Sequence, residues 1–185
     1  MANGTLAASQ IEMLSQSGTG ITTVVPPATN IDRTLTLPDV TGTLSTNGPA
    51  FFANGATSAS LTSGTNTKVA AFSSEVFDTN SNFDTATSRF TPTVEGYYQI
   101  SASVRSDTSL TVLHASVYKN ATIYAAGSFT SLSAGVTNKA STVSALVYLN
   151  GSTDYVEIYA FVSGTATTST SAGQTWFSGV LVRGA

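Results

Sequence analysis

The sequence predicts an all-β fold, a jelly-roll β-sandwich, and three features carry that expectation. Thr and Ser supply close to a third of the 185 residues, 31 Thr and 26 Ser, while charged residues supply only 9%; an average soluble domain is about 25% charged. From residue 48 onward, short alternating apolar and polar runs are separated by turn-forming clusters. The last run, Trp176-Phe177-Ser178-Gly179-Val180-Leu181-Val182, stays apolar almost to the end of the chain.

Thr favours the pleated, half-buried surface of a strand, so a hydroxyl-rich, weakly charged chain points to sheets. Low charge does not imply disorder, because 41% of the residues are hydrophobic and seven Tyr and nine Phe are present. The closing run is expected inside a sheet, since a frayed tail would leave Trp, Phe and Leu in water. Phe177, Gly179 and Leu181 share one face and should pack on the core. Trp176, Val180 and Val182 share the other, so that side should be covered as well.

Two parts are expected, residues 1–48 and 49–185. The first has no aromatic residue and is rich in Thr, Gly and Pro. A short helix is expected within residues 6–16, with Leu6, Ile11 and Leu14 as its apolar positions, and Pro26-Pro27 breaks any regular element. Residues 33–44 alternate Thr with Leu, turn at Pro38-Asp39 and resume, which reads as a hairpin needing neighbours. Copies of itself in a homo-oligomer would supply them.

In the second part strands are expected at 68–72, 96–105, 111–119, 122–126, 142–149, 155–162 and 175–183. Tyr98, Ile100, Ala102 and Val104 share a face of the clearest one. Turns fall at Asn150-Gly151-Ser152-Thr153, Ser163-Gly164-Thr165 and Ser171-Ala172-Gly173. Many strands with turns at such intervals and no convincing helix in this part define a sandwich or jelly roll.

Composition narrows function. No cysteine is present, so disulfides and cysteine metal sites are excluded. A net charge of −3 argues against nonspecific nucleic-acid binding. The N-terminus does not read as a secretory signal and no 18-residue apolar run exists, so neither secretion by that route nor membrane insertion is expected.

Residues 51–182 resemble the globular head domain of complement component one, subcomponent q, a tumour-necrosis-factor-like jelly roll. The pieces occur in order: Val76-Phe77-Asp78 and Asn82-Phe83-Asp84, then Ser88-Arg89-Phe90-Thr91-Pro92 with Glu95-Gly96-Tyr97-Tyr98. Val117-Tyr118-Lys119-Asn120 follows, then Leu149-Asn150-Gly151-Ser152-Thr153-Asp154-Tyr155-Val156, where Ser152-Thr153 splits the family's adjacent Gly-Asp. Phe177-Ser178-Gly179-Val180-Leu181 resembles the closing motif. The resemblance makes Phe90, Gly96, Tyr98, Phe177, Gly179 and Leu181 the core motif and implies a homotrimer. Residues 33–44, Arg33-Thr34-Leu35-Thr36-Leu37-Pro38-Asp39-Val40-Thr41-Gly42-Thr43-Leu44, resemble segments that recur in bacteriophage tail and head fibres.

The strand 155–162 is apolar on both faces. Val156, Ile158, Ala160 and Val162 can fill the core, which leaves Tyr155, Tyr159 and Phe161 outward around Glu157. They either lie under a loop of their own subunit or form a trimer interface. The interface is preferred, with Trp176 added to it, because contiguous exposed aromatics mark contact surfaces. His114, the lone histidine, is expected to be structural. Asp78, Asp84 and Asp154 sit beside turns and are expected to hold backbone, although some relatives of the resembled family bind calcium with such loop carboxylates. No catalytic residue, metal or other cofactor is expected.

These features lead to a homotrimeric phage fibre or capsid decoration protein. Residues 1–48 would attach to other virion proteins and the head would bind a host-surface glycan or protein through loops such as 163–173. It would be assembled in the bacterial cytoplasm and exposed on the particle. A tail-attached receptor-binding tip and a free secreted complement-head-like ligand or lectin are the alternatives.

Overall fold

A computed structural model describes residues 11–14, 21–24, 48–129 and 131–185. The chain divides into two compact units, Met1–Gly42 and Thr43–Ala185. In the first, β1 (Ile11–Leu14) pairs antiparallel with β2 (Ile21–Val24), Ile11 opposite Val24 and Leu14 opposite Ile21. Strand therefore replaces the helix expected at 6–16, as far as those residues are described. Leu6, Ile11 and Leu14 make an incomplete helical stripe, whereas β-branched Ile21-Thr22-Thr23-Val24 offers a favourable pairing partner. The hairpin expected at 33–44 lies outside the described residues.

The second unit begins with β3 (Ala50–Asn54), a strand the sequence pattern hides because Phe51 and Phe52 point to opposite faces. Short strands follow: β4 (Ser60–Leu61), β5 (Asn66–Lys68), β6 (Ser74–Asp78), β7 (Phe83–Asp84) and β8 (Arg89–Phe90). The long ones are β9 (Glu95–Ser106), β10 (Leu110–Lys119), β13 (Lys139–Asn150), β14 (Val156–Val162) and β16 (Trp176–Gly184). Between them run β11 (Thr122–Ala126), β12 (Ser131–Val136) and β15 (Ala166–Thr167).

One sheet has the order β13-β9-β16-β3-β6, and the opposing seven-stranded sheet has the path β11-β10-β14-β8-β7 with β12 on β10 and β5 on β14. The closing strand lies inside its sheet, antiparallel to β9 on one side and β3 on the other. From Trp176 to Val180 the strand is flanked on both edges, which pairs its ladder groups there and suits an apolar run; beyond that β9 alone continues beside it, with a register shift between Leu181 and Arg183.

The alternating faces meet between the sheets. Tyr98, Ile100, Ala102 and Val104 of β9 oppose Leu113, Ala115 and Val117 of β10 and Val156, Ile158, Ala160 and Val162 of β14, all buried. An aromatic cluster fills one part of this layer. Phe51 stacks on Phe83 at 4.7 Å and Phe90 at 4.5 Å and meets Phe177 edge-on at 4.9 Å. Stacked and edge-to-face pairs add to the area term already gained by burial.

The strand expected at 68–72 is replaced by β5 and a turn. Val69 keeps one ladder bond, to the Ile158 carbonyl at 2.9 Å, before the chain leaves the sheet. The departure carries Ala71 and Phe72 into the core, where Phe72 lies 5.4 Å from Phe177. An apolar run can therefore be a buried crossing, because burial alone does not require a ladder.

Candidate functional site

The six core-motif residues fall around one region of the sandwich. Phe90, Tyr98 and Phe177 are fully buried. The Tyr98 hydroxyl donates to the Val94 carbonyl at 2.6 Å, and burial pushes its phenol up to about 12. Gly179 sits where a Cβ would come within 2.6 Å of Phe51 Cε1 and 2.9 Å of Ile100 Cδ1. At Gly96 a Cβ would lie 2.4 Å from the Arg183 carbonyl oxygen, so β9 and β16 close only over glycine. Leu181 is half-buried against the core.

Two outward faces remain. On the five-stranded sheet, cross-strand partners place Tyr148 beside Tyr97, then Leu146, Gln99, Val180 and Ala50 in one row. The next row is Ser144, Ser101, Ser178, Phe52 and Phe77. Hydroxyls knit the middle: Ser101 Oγ and Ser144 Oγ are 2.8 Å apart, and Gln99 Nε2 donates to Ser144 Oγ at 2.8 Å. Apolar side chains flank this polar strip on both sides. Tyr97, Leu146, Val180 and Phe77 are 42–51% exposed and Val182 is 60% exposed. Tyr97, Leu146 and Val182 also line a shallow groove of about 510 Å³ with Arg183, Gly184 and Ala185. Trp176 stacks on Phe52 at 5.7 Å. This sheet therefore presents an exposed face with several large apolar side chains.

On the seven-stranded sheet the outward rows run Tyr118, Glu157; Ser116, Tyr159, Lys68; and His114, Phe161, Asn66. This is the face that carries Tyr155, Tyr159 and Phe161, all three half-buried, and the first two are engaged within the subunit. Tyr159 stacks on Tyr118 with ring centroids 3.9 Å apart, and the Arg89 guanidinium lies 3.8 Å over the Tyr155 ring. Burial, with the Glu157 charge close by, pushes the Tyr159 phenol up. Glu157 is only 2% exposed, and its Oε1 takes Lys68 Nζ at 2.5 Å and Arg89 at 2.9 Å. A carboxylate withdrawn from water is costly unless it is paired, and two cations meet that cost here. Trp176 belongs to the opposite sheet, so the structure does not bring the four expected interface residues together on one surface of a subunit.

The turn carboxylates hold backbone. Asp78 Oδ2 accepts from the Phe83 amide at 2.6 Å, and Asp84 accepts from the Thr87 hydroxyl and the Ala86 amide, which hold its carboxyl below the usual value. Asp154 takes Lys119 Nζ at 2.8 Å and Asn120 Nδ2 at 2.7 Å, and these lower it too. Asn150 Oδ1 caps the two extra residues of this turn, accepting from the amides of Ser152, Thr153 and Asp154. Side-chain caps of this kind are why Asn and Asp lead such turns. Among the described residues no three His, Asp or Glu side chains converge. The lone His114 is half-buried, its ring 5.8 Å from that of Phe129.

Two antiparallel sheets in this order, packed on an aromatic core, define a jelly-roll module of the tumour-necrosis-factor-like class. Within that class the chain belongs to the C1q domain family, which matches residues 50–182. The globular domain of zebrafish complement 1qA protein is 20% identical, covers 74% of this chain and 99% of its own, and superposes with a TM-score of 0.50. Eiger TNF from S. frugiperda is 12% identical over 75% of this chain and 93% of its own, TM-score 0.58. Murine APRIL is 11% identical over 74% of this chain and 100% of its own, TM-score 0.56. No curated protein matches the chain.

Proposed function

We propose that this chain is a structural component of a bacteriophage virion, a short homotrimeric fibre or capsid decoration protein. Residues 1–48 attach to other virion proteins, and the C1q head projects outward and binds a glycan or protein of the host surface. The observation that carries the assembly is the outward face of the five-stranded sheet, where Tyr97, Leu146, Val180, Val182 and Phe77 stand in water on a single chain. Packing three such faces about a common axis would remove them from solvent and leave the other sheet facing outward.

On this reading the interface lies on the face that holds Trp176 rather than on that of Tyr155, Tyr159 and Phe161, since Arg89 already lies over the Tyr155 ring and Tyr118 stacks on Tyr159. Support for the virion lies in residues 33–44, which resemble phage-fibre segments. Trimerisation also gives the function its mechanism, since three copies turn weak contacts with a repetitive surface into avidity.

The test is removal of residues 1–48 in the producing phage. The shortened chain should remain folded and trimeric while particles lose it. Retention of the shortened chain on particles would overturn attachment through this segment. A full-length chain found only free in the medium would favour a secreted C1q ligand.

A further inference from the structure

We propose that the β10–β11 hairpin is a strap over the open edge of β13, held there by Lys119 and Tyr124, which keeps β13 from recruiting a strand of another molecule. The strap belongs to the single head and does not depend on the virion reading. β13 ends the five-stranded sheet and is twelve residues long. Its run Ser144-Ala145-Leu146-Val147-Tyr148-Leu149 has high strand propensity and no charge, Pro or Gly. Such a run pairs with copies of itself when its backbone is free. Other edges are blunted by different means. β6 carries Glu75 and Asp78 and shifts register against β3 between Phe52 and Ala53. β11 is five residues long and shifts register against β10 between Val117 and Tyr118. Charge, shortness and bulges all discourage pairing. β13 is long, keeps one register along β9 and has no charge after Lys139.

Side chains on its outward carbonyls take the place of those devices. Alternate residues of an edge strand turn both backbone groups away from the sheet, and in β13 these are Thr142, Ser144, Leu146 and Tyr148. Lys119 Nζ donates to the Tyr148 carbonyl at 2.8 Å, and the Tyr124 hydroxyl donates to that of Leu146 at 3.1 Å. Farther along, Gly127 lies so close to the Thr142 carbonyl that a Cβ would overlap its oxygen. Ser141 Oγ donates to the Ser128 carbonyl at 3.4 Å. One continuous segment, residues 119–128, thus follows the edge without forming a ladder with it. Asp154 fixes its start by pairing with Lys119 at 2.8 Å. An incoming strand would have to displace the segment and break both donations before it could pair, and each bond given up counts against it.

The test compares the full-length parent with Tyr124→Phe, Lys119→Met and the two combined. Asp154→Asn is the control, since it removes the ion pair and leaves the Lys119 donation to Tyr148. Pelletable protein and thioflavin T fluorescence are followed at equal concentration. The double variant should form sheet-rich aggregate at least about fivefold faster than the parent, while its soluble fraction keeps the parent's circular dichroism. Each single variant should fall between, and Asp154→Asn should stay with the parent. In the aggregate, hydrogen exchange should show protection at the amides of Leu146 and Tyr148, which face away from β9. Adding Ser144→Pro removes an outward N–H and should return the double variant to the parent's rate. If the double variant unfolds, Tyr124→Phe alone decides by the same readouts.

A double variant that aggregates no faster than the parent would overturn the proposal. So would an Asp154→Asn variant that aggregates as fast as the double one, since general loss of stability would then be the cause. An aggregate in which the Leu146 and Tyr148 amides exchange freely would place the pairing elsewhere and overturn it too. Loss of the oligomer with no aggregate would overturn it in favour of a strap that serves the contact between copies.

Discussion

Replacing Val180 with Asp should dissolve the trimer and leave the fold. Val180 lies in the middle of the five-stranded sheet, opposite Gln99 on one neighbour and Ala50 on the other, with its side chain 46% exposed. It points away from the core, so the substitution removes no core contact. Fully burying an aliphatic or aromatic side chain is worth about 1.5–3 kcal/mol, so one that is half exposed still has about 0.8–1.5 kcal/mol to gain. Five such side chains, Tyr97, Leu146, Val180, Val182 and Phe77, would contribute on the order of 4–7 kcal/mol per protomer before association costs. A carboxylate there forfeits the Val share and adds an unpaired charge whose burial costs several kcal/mol. That removes most of the gain. Sedimentation velocity at micromolar concentration should show a trimer for the parent and a monomer for Val180→Asp, with matching circular dichroism. Thr137→Asp on an exposed turn serves as the control and should stay trimeric. A folded Val180→Asp trimer would refute the assignment of this face.

Three further outcomes follow from the core and the turns. Gly179→Ala pushes a methyl against the stacked Phe51 ring and Ile100, so it should cost about 1–3 kcal/mol and lower the melting temperature by about 2–12 °C; a calorimetric scan that superposes on the parent would contradict the packing. Asp154→Asn tests the Lys119–Asp154–Asn120 turn. Because the folded carboxyl titrates below its usual value, its contribution is present above about pH 4 and lost as pH falls through the folded value. The variant should lose part of the parent's stability advantage at pH 6 over pH 3 in thermal melts, and identical profiles would rule the turn out. Tyr98→Phe removes the bond to Val94 and should cost about 0.5–1.5 kcal/mol at pH 7. The raised phenol favours folding below about pH 10 and loses that contribution as pH rises through about 12, so the variant's alkaline unfolding should begin later; the same onset as the parent would contradict it.

The long strands were legible because their alternation is local: Tyr98, Ile100, Ala102 and Val104 need no partner to be read as one face. The edge strand β6 was not, since Ser74–Asp78 is largely exposed and shifts register against β3 between Phe52 and Ala53. Ser131–Val136 escaped for want of bulky apolar residues. The partners of Tyr155 and Tyr159 were not legible because they come from other strands: Arg89 of β8 lies over Tyr155 and Tyr118 of β10 stacks on Tyr159, while Glu157 between them draws Lys68 from 89 residues away. Pairing across such separations is set by sheet order, which period-two patterns do not encode. Trp176 shares its face with Val180 and Val182 of the same strand, which alternation alone shows, and the structure adds Tyr97 from β9 beside it and Leu146 from β13 beyond.

A density map of purified particles decides whether three C1q heads stand together on a virion. The expected result is a projection with three-fold symmetry into which three copies of residues 43–185 fit with their five-stranded sheets against the axis. Particles with no density and no peptide from this chain would rule out the virion role, and a projection holding a single copy would rule out the trimer.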